Sequence, residues 1–105
     1  MAKKQTAGRE QLGDLAPKFA ELNDDGLFGE VWSRESQLSA RDRSMITCAS
    51  LLTQGALPQL EAHMKMAKTN GVTKDEMVEL VTHLAFYAGW PKAWSAFGLV
   101  KKIFD

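Results

Sequence analysis

Few residues in this chain can carry chemistry: two histidines, one cysteine and a short run of arginines. His63 stands out because Leu60, His63, Met64 and Ala67 fall at i, i+3, i+4 and i+7, one face of a helix. An imidazole buried there without a partner costs about 1–3 kcal/mol, so it is either tied to a carbonyl or has a task. Cys48 sits on a similar stripe with Met45, Ala49 and Leu52. It reads as a small buried hydrophobe or, if exposed with a lowered pKa, as a reactive thiol. Arg41, Asp42 and Arg43 open a helix, with Arg34 and Glu35 just before them. Arginines so placed can grip a carboxylate in bidentate fashion, or they can form ion pairs on the surface or between subunits. His83 lies one turn from Glu79 and from Tyr87, the pattern of a surface pair. Trp90, in Gly-Trp-Pro, is a packing anchor or a platform for a ligand.

The inventory also excludes chemistry. The chain has no glycine-rich phosphate loop, no HExxH and no cysteine pair, so neither a metal nor a cofactor is expected. A lone cysteine forms no internal disulfide, and a cytoplasmic home is expected. Thirteen basic and thirteen acidic residues give zero formal net charge, which argues against nucleic acid as partner. No apolar run approaches the roughly 20 residues of a membrane span, and no apolar signal segment opens the chain.

These residues need helices to position them. Residues 1–8 read as a flexible leader, followed by one domain over 9–105. A short first helix precedes Gly13, and a second starts near Ala16 with Pro17 in its first turn. Asn23-Asp-Asp-Gly26 is expected to bend or cut that second helix. A third runs over about 40–54 from an N-cap at Ser39 to Gly55, and a fourth from Leu57 or Pro58 to Asn70-Gly71. Thr73 and Glu76 form a capping box, flanked by Val72 and Met77 as a staple. That fifth helix keeps Met77, Leu80, Val81, Leu84, Ala85 and Ala88 on one face and stops at Gly89. A sixth starts at Pro91, with Trp94, Phe97 and Phe104 spaced to pack inward. No stretch alternates like a strand, so the fold class is all-α, a single-domain bundle of about six helices. Three tryptophans and five phenylalanines exceed what so small a core hides, which points to a homo-oligomer.

Four segments together give the chain a family likeness: GEVWSR (29–34), LSARDRSMIT (38–47), the His63 helix running into NGVTKDEMVE (70–79), and AFYAGWPKAWSAF (85–97). In order and spacing they resemble the carboxymuconolactone decarboxylase family from about residue 10 to 104. The resemblance implies an all-α fold with a central antiparallel helical hairpin, trimers or hexamers, and sites near subunit contacts. It also implies one of two activities: decarboxylation of a carboxylated lactone in aromatic catabolism, or alkylhydroperoxidase-like reduction of hydroperoxides. The second uses a Cys-x-x-Cys-x-x-x-His motif, whose cysteines would fall at Ala56 and Gln59 here, so paired-thiol chemistry is excluded.

The first branch has Glu-Leu-x-x-His, and this chain has Gln59 in place of that glutamate. A glutamine can orient His63 but cannot supply a counter-charge. Gly55-Ala56 also replaces the family's Gly-Arg corner. The leading expectation is a decarboxylase of a small carboxylate substrate. In it His63 moves the proton, Arg41 and Arg43 hold carboxylates, and Gln59, Tyr87, Trp90 and Met64 complete the pocket. The alternatives are a hydroperoxide-handling relative that uses Cys48 alone, and a non-catalytic oligomer that binds a small acid.

Overall fold

The computed structural model describes residues 5–105, which contain helices and turns and no strand. In order they are α1 (Ala7–Leu12), α2 (Pro17–Glu21), a π-helical stretch (Leu22–Val31), α3 (Ala40–Gln54), α4 (Leu57–Thr69), α5 (Lys74–Ala88) and α6 (Trp90–Phe104). The all-α expectation and the six α-helices are both met. The chain divides into two compact units, one ending at Ala40 and the other running from Arg41 to Asp105.

In the first unit α1 is six residues long, too short to persist alone. Its opening amides are held from outside the helix. Asp24 Oδ1 accepts from the Gly8 amide at 2.9 Å and Asp24 Oδ2 from the Arg9 amide at 3.0 Å. Arg9 adds two bonds to the Asp25 carboxylate, at 2.9 and 2.7 Å. Gly8 is required for this approach, because a Cβ there would lie 2.6 Å from Asp24 Oδ1 and 3.0 Å from the Ala20 carbonyl oxygen. Of the expected leader, residues 1–4 lie outside the described residues, while Ala7 and Gly8 already belong to α1.

At the expected interruption the α form does end, at Glu21, but the chain is not cut at Asn23–Gly26: it stays helical in π form to Val31, and the Trp32 amide reaches back to the Leu27 carbonyl at 2.9 Å. Aspartate usually breaks a helix by competing for nearby backbone. Here the side chain of Asp24 is wholly buried and its oxygens are taken by α1 and by Asn23 Nδ2 at 3.0 Å. These bonds hold the Asp24 carboxyl below its usual range, Asn23 contributing most, with the Arg9 and Gly8 amides and the Arg9 charge beside it.

The second unit is two helical hairpins. Gly55 turns α3 into α4 at φ 74°, a left-handed conformation that glycine adopts without strain. At the open end Asn70 Nδ2 donates to the buried Ser44 Oγ at 3.0 Å, which ties the end of α4 to the first turns of α3. The Thr73 capping box forms as expected: the Glu76 amide donates to Thr73 Oγ1 at 3.1 Å and the Thr73 amide to Glu76 Oε1 at 2.9 Å. Helix α6 then packs on both α5 and α4. Lys74 meets Asp105 at 2.6 Å, so the start of α5 lies beside the end of α6, and Lys68 Nζ donates to the Ile103 carbonyl at 3.0 Å.

The core of this unit holds Cys48, Leu52, Leu60, Met64, Met77, Val81 and Val100, all nearly or fully buried. On α6 the buried stripe is Ala93, Ala96, Val100 and Ile103. Trp94, expected inside, is 74% exposed, and Phe97 and Phe104 are half-buried. The inward stripe of α6 thus carries small alanines where a tryptophan was expected, and Trp94 stands on the exposed side.

The capping box gives a direct test of how α5 is held. Replacing Thr73 with Ala should lower unfolding free energy by about 1 kcal/mol in urea titrations, with Thr73→Ser close to wild type.

Candidate functional site

His63 lies in the middle of α4, on the face that buries Leu60, Met64 and Ala67. The imidazole is half-buried, and its Nδ1 atom is shielded from solvent. Burial holds its pKa below the ordinary histidine value, because water stabilises the charged form better than the interior does. The polar side chains just before it in sequence on this helix are Gln59 and Glu61. Gln59, one turn earlier, is neutral and exposed. Glu61 is engaged elsewhere: Oε2 takes Lys102 at 2.8 Å and Lys65 at 3.4 Å. These bonds, Lys102 first, hold the Glu61 carboxyl below its usual range. The site therefore offers a neutral imidazole near pH 7, able to accept a proton and, once charged, strongly inclined to give it up.

The arginines open α3. Arg41 is already paired: one nitrogen bonds Glu76 Oε2, and the other lies 3.4 Å from Asp42 and 3.8 Å from the Met45 sulfur. Sequence reading found Glu76 as a capping residue and missed this second role, because the two partners lie 35 positions apart. Glu76 divides its work by oxygen, Oε1 capping α5 and Oε2 holding Arg41. Arg43, two positions on, is half-buried.

Cys48 is fully buried, and burial pushes its thiol up to about 12. A peroxidatic cysteine needs the opposite environment, exposed and stabilised as thiolate. Tyr87 and Trp90 stand at the corner between α5 and α6, 75% and 60% exposed. Met64 is fully buried and is part of the core, so the pocket wall sketched for it is a core contact. A groove of about 520 Å³ runs between α3 and α5, over Met45, Ala49 and Leu80, with Glu76, Glu79 and His83 also lining it. The imidazole on that wall is His83, whose ring lies 5.0 Å from Tyr87. Among the described residues no group of three or more His, Cys, Asp or Glu is placed to hold a metal ion. None of the helices there is long and apolar enough to cross a membrane.

Residues 17–102 match the carboxymuconolactone decarboxylase family. The chain is 38% identical over 95 residues to a 4-carboxymuconolactone decarboxylase of Acinetobacter baylyi, covering 90% of this chain and 70% of that protein. It is 35% identical over 82 residues to a nitrosuccinic acid decarboxylase of Metarhizium robertsii, covering 78% and 57%. A 15.0 kDa protein of Paracoccus denitrificans is 30% identical over 79 residues, covering 73% and 58%.

Two measurements probe these environments. Cys48 should resist a small thiol reagent at pH 8 in the native protein and react at once in denaturant; rapid native reaction would mean the thiol is accessible. His63 has a folded pKa below its unfolded value, near 6.5, so the unfolded chain binds more protons once pH falls toward that value. Stability should therefore drop as pH is lowered through about 6.5, above the range where carboxylates titrate. His63→Gln should flatten that part of a denaturation-midpoint curve measured against pH.

Proposed function

Because the chain belongs to the carboxymuconolactone decarboxylase family, we propose that it removes carbon dioxide from a carboxylated lactone or a related small acid of aromatic catabolism. What supports the reading is a single half-buried imidazole, depressed in pKa, in a chain similar to two proteins named as decarboxylases. Decarboxylation breaks the bond between the carboxylate carbon and its neighbour and leaves the electron pair on that neighbour. A proton must then reach the same carbon, so each turnover takes up one proton from solvent. His63 is the residue we assign to that transfer: neutral at rest, it collects a proton and delivers it to the carbanion or enolate. A depressed pKa makes the imidazolium a stronger acid, which favours delivery to carbon.

Arg43 and Arg41 are assigned to the substrate carboxylates, with Gln59 orienting the imidazole. Arg41 must exchange Glu76 Oε2 for substrate, and this leaves the α5 cap on Oε1 intact. Tyr87 and Trp90 receive no step. The working form is assigned as a homo-oligomer, a trimer or hexamer. The exposed Leu15, Phe19 and Leu22, at 83%, 60% and 56%, support that assignment.

The test is carbon dioxide release from carboxylated lactones and nitro- or hydroxy-substituted succinates. His63→Ala should lower kcat by about 10²-fold or more, with helix content unchanged. Arg43→Ala should raise KM about tenfold, roughly the loss of one charge-assisted contact. Turnover by His63→Ala equal to wild type would remove His63 from the chemistry. Saturable acid binding without turnover by wild type would identify a non-catalytic binder.

A further inference from the structure

We propose that the recess between α5 and α6 is a binding site for an uncharged, single-ring aromatic molecule carrying one hydrogen-bond donor. Trp90, Trp94 and Phe97, at i, i+4 and i+7 along α6, wall a space of about 160 Å³, with Ala85, Ala93 and Thr82 completing it. An engineered apolar cavity of roughly 150 Å³ admits a benzene ring, so the size fits one ring and no more. The lining residues carry no ionisable group. A carboxylate entering there would lose water and find no counter-charge, whereas a neutral ring loses little. This separates the recess from the site assigned to the decarboxylation substrate, and the two stand or fall independently.

One wall, Trp90, is braced by a neighbouring ring. Phe86 meets Trp90 edge to face, with centroids 6.0 Å apart and planes at 82°. Trp90 and Trp94 remain 60% and 74% exposed, so each keeps an indole surface that an inserted ring would cover. Thr82 supplies the one hydroxyl of the lining, and its proton is committed to the Val78 carbonyl at 2.8 Å. Toward a ligand its oxygen can therefore only accept, which favours phenol over benzene and disfavours an acceptor-only ring.

The experiment titrates phenol and, separately, benzoate into the full chain at pH 7, followed by tryptophan emission and backbone amide shifts. Phenol should saturate, move signals of residues 82–97, and bind at least tenfold more tightly than benzoate. Thr82 is exposed on α5, so Thr82→Phe fills the space from a tolerant position and should weaken phenol at least tenfold with helix content unchanged. Trp94→Ala removes an exposed wall and should do the same, which keeps the test decisive if the first variant misfolds. Equal binding of phenol and benzoate, or phenol binding untouched by both substitutions, would overturn the proposal. So would signals of residues 82–97 that ignore phenol and move with protein concentration, since a second copy would then be the occupant.

Discussion

The second unit depends on how closely α6 approaches its neighbours. Its buried stripe of Ala93, Ala96, Val100 and Ile103 includes two methyl-sized residues. Helix α5 answers with Met77, Val81 and Ala85 on its buried face. Bulky side chains cannot occupy so close a seam without strain or backbone shifts. Trp90 and Trp94 consequently face water, and so do Phe86 and Tyr87 on α5. Polar ties then fix register where the stripe ends: Lys74 with Asp105, Lys68 with the Ile103 carbonyl, and Lys102 with Glu61. Exposed pairs contribute little each. Their role here is to choose among sliding positions that the apolar stripe alone would tolerate.

That seam also governs His63. Because Glu61 is drawn to Lys102 on α6, the carboxylate nearest to His63 in sequence is spent on structure. Gln59 adds no charge. Desolvation by burial acts on the imidazole, and its direction is toward the neutral form. A histidine flanked by a carboxylate would rest charged over a wider pH range. Here Gln59 is neutral, and Glu61 is held by Lys102 and Lys65.

Much of this was legible in the sequence, for local reasons. Gly55, the Thr73–Glu76 box and Pro91 act over a few residues, so the helix ends they mark were readable from spacing alone. The stripe of α4 was readable because Leu60, Met64 and Ala67 are unambiguous in size and polarity. What failed depended on distant partners. Asp24 looked like a breaker because its true partners, the Gly8 and Arg9 amides, lie 16 and 15 positions away. Trp94 looked like core because hydrophobicity ranks a tryptophan above an alanine, while the seam selects for small volume. Arg41 was open to two readings, a carboxylate grip or an ion pair, and nothing near it in sequence announces Glu76 as its partner.

Arg41 also shows how the candidate site is balanced. Glu76 and Asp42 both lie against its guanidinium, with Arg43 two positions further along the same helix. A carboxylate that reaches this guanidinium must displace Glu76 Oε2 from it. The cost of withdrawal is small, because the α5 cap rests on Oε1 and Thr73 Oγ1 and survives the loss of the Oε2 contact. Glu76 is 39% exposed, so water can take over the freed oxygen. Exchange of one carboxylate for another on a partly exposed arginine then comes down to geometry, and a substrate offering both oxygens in plane competes well against the single oxygen that Glu76 supplies.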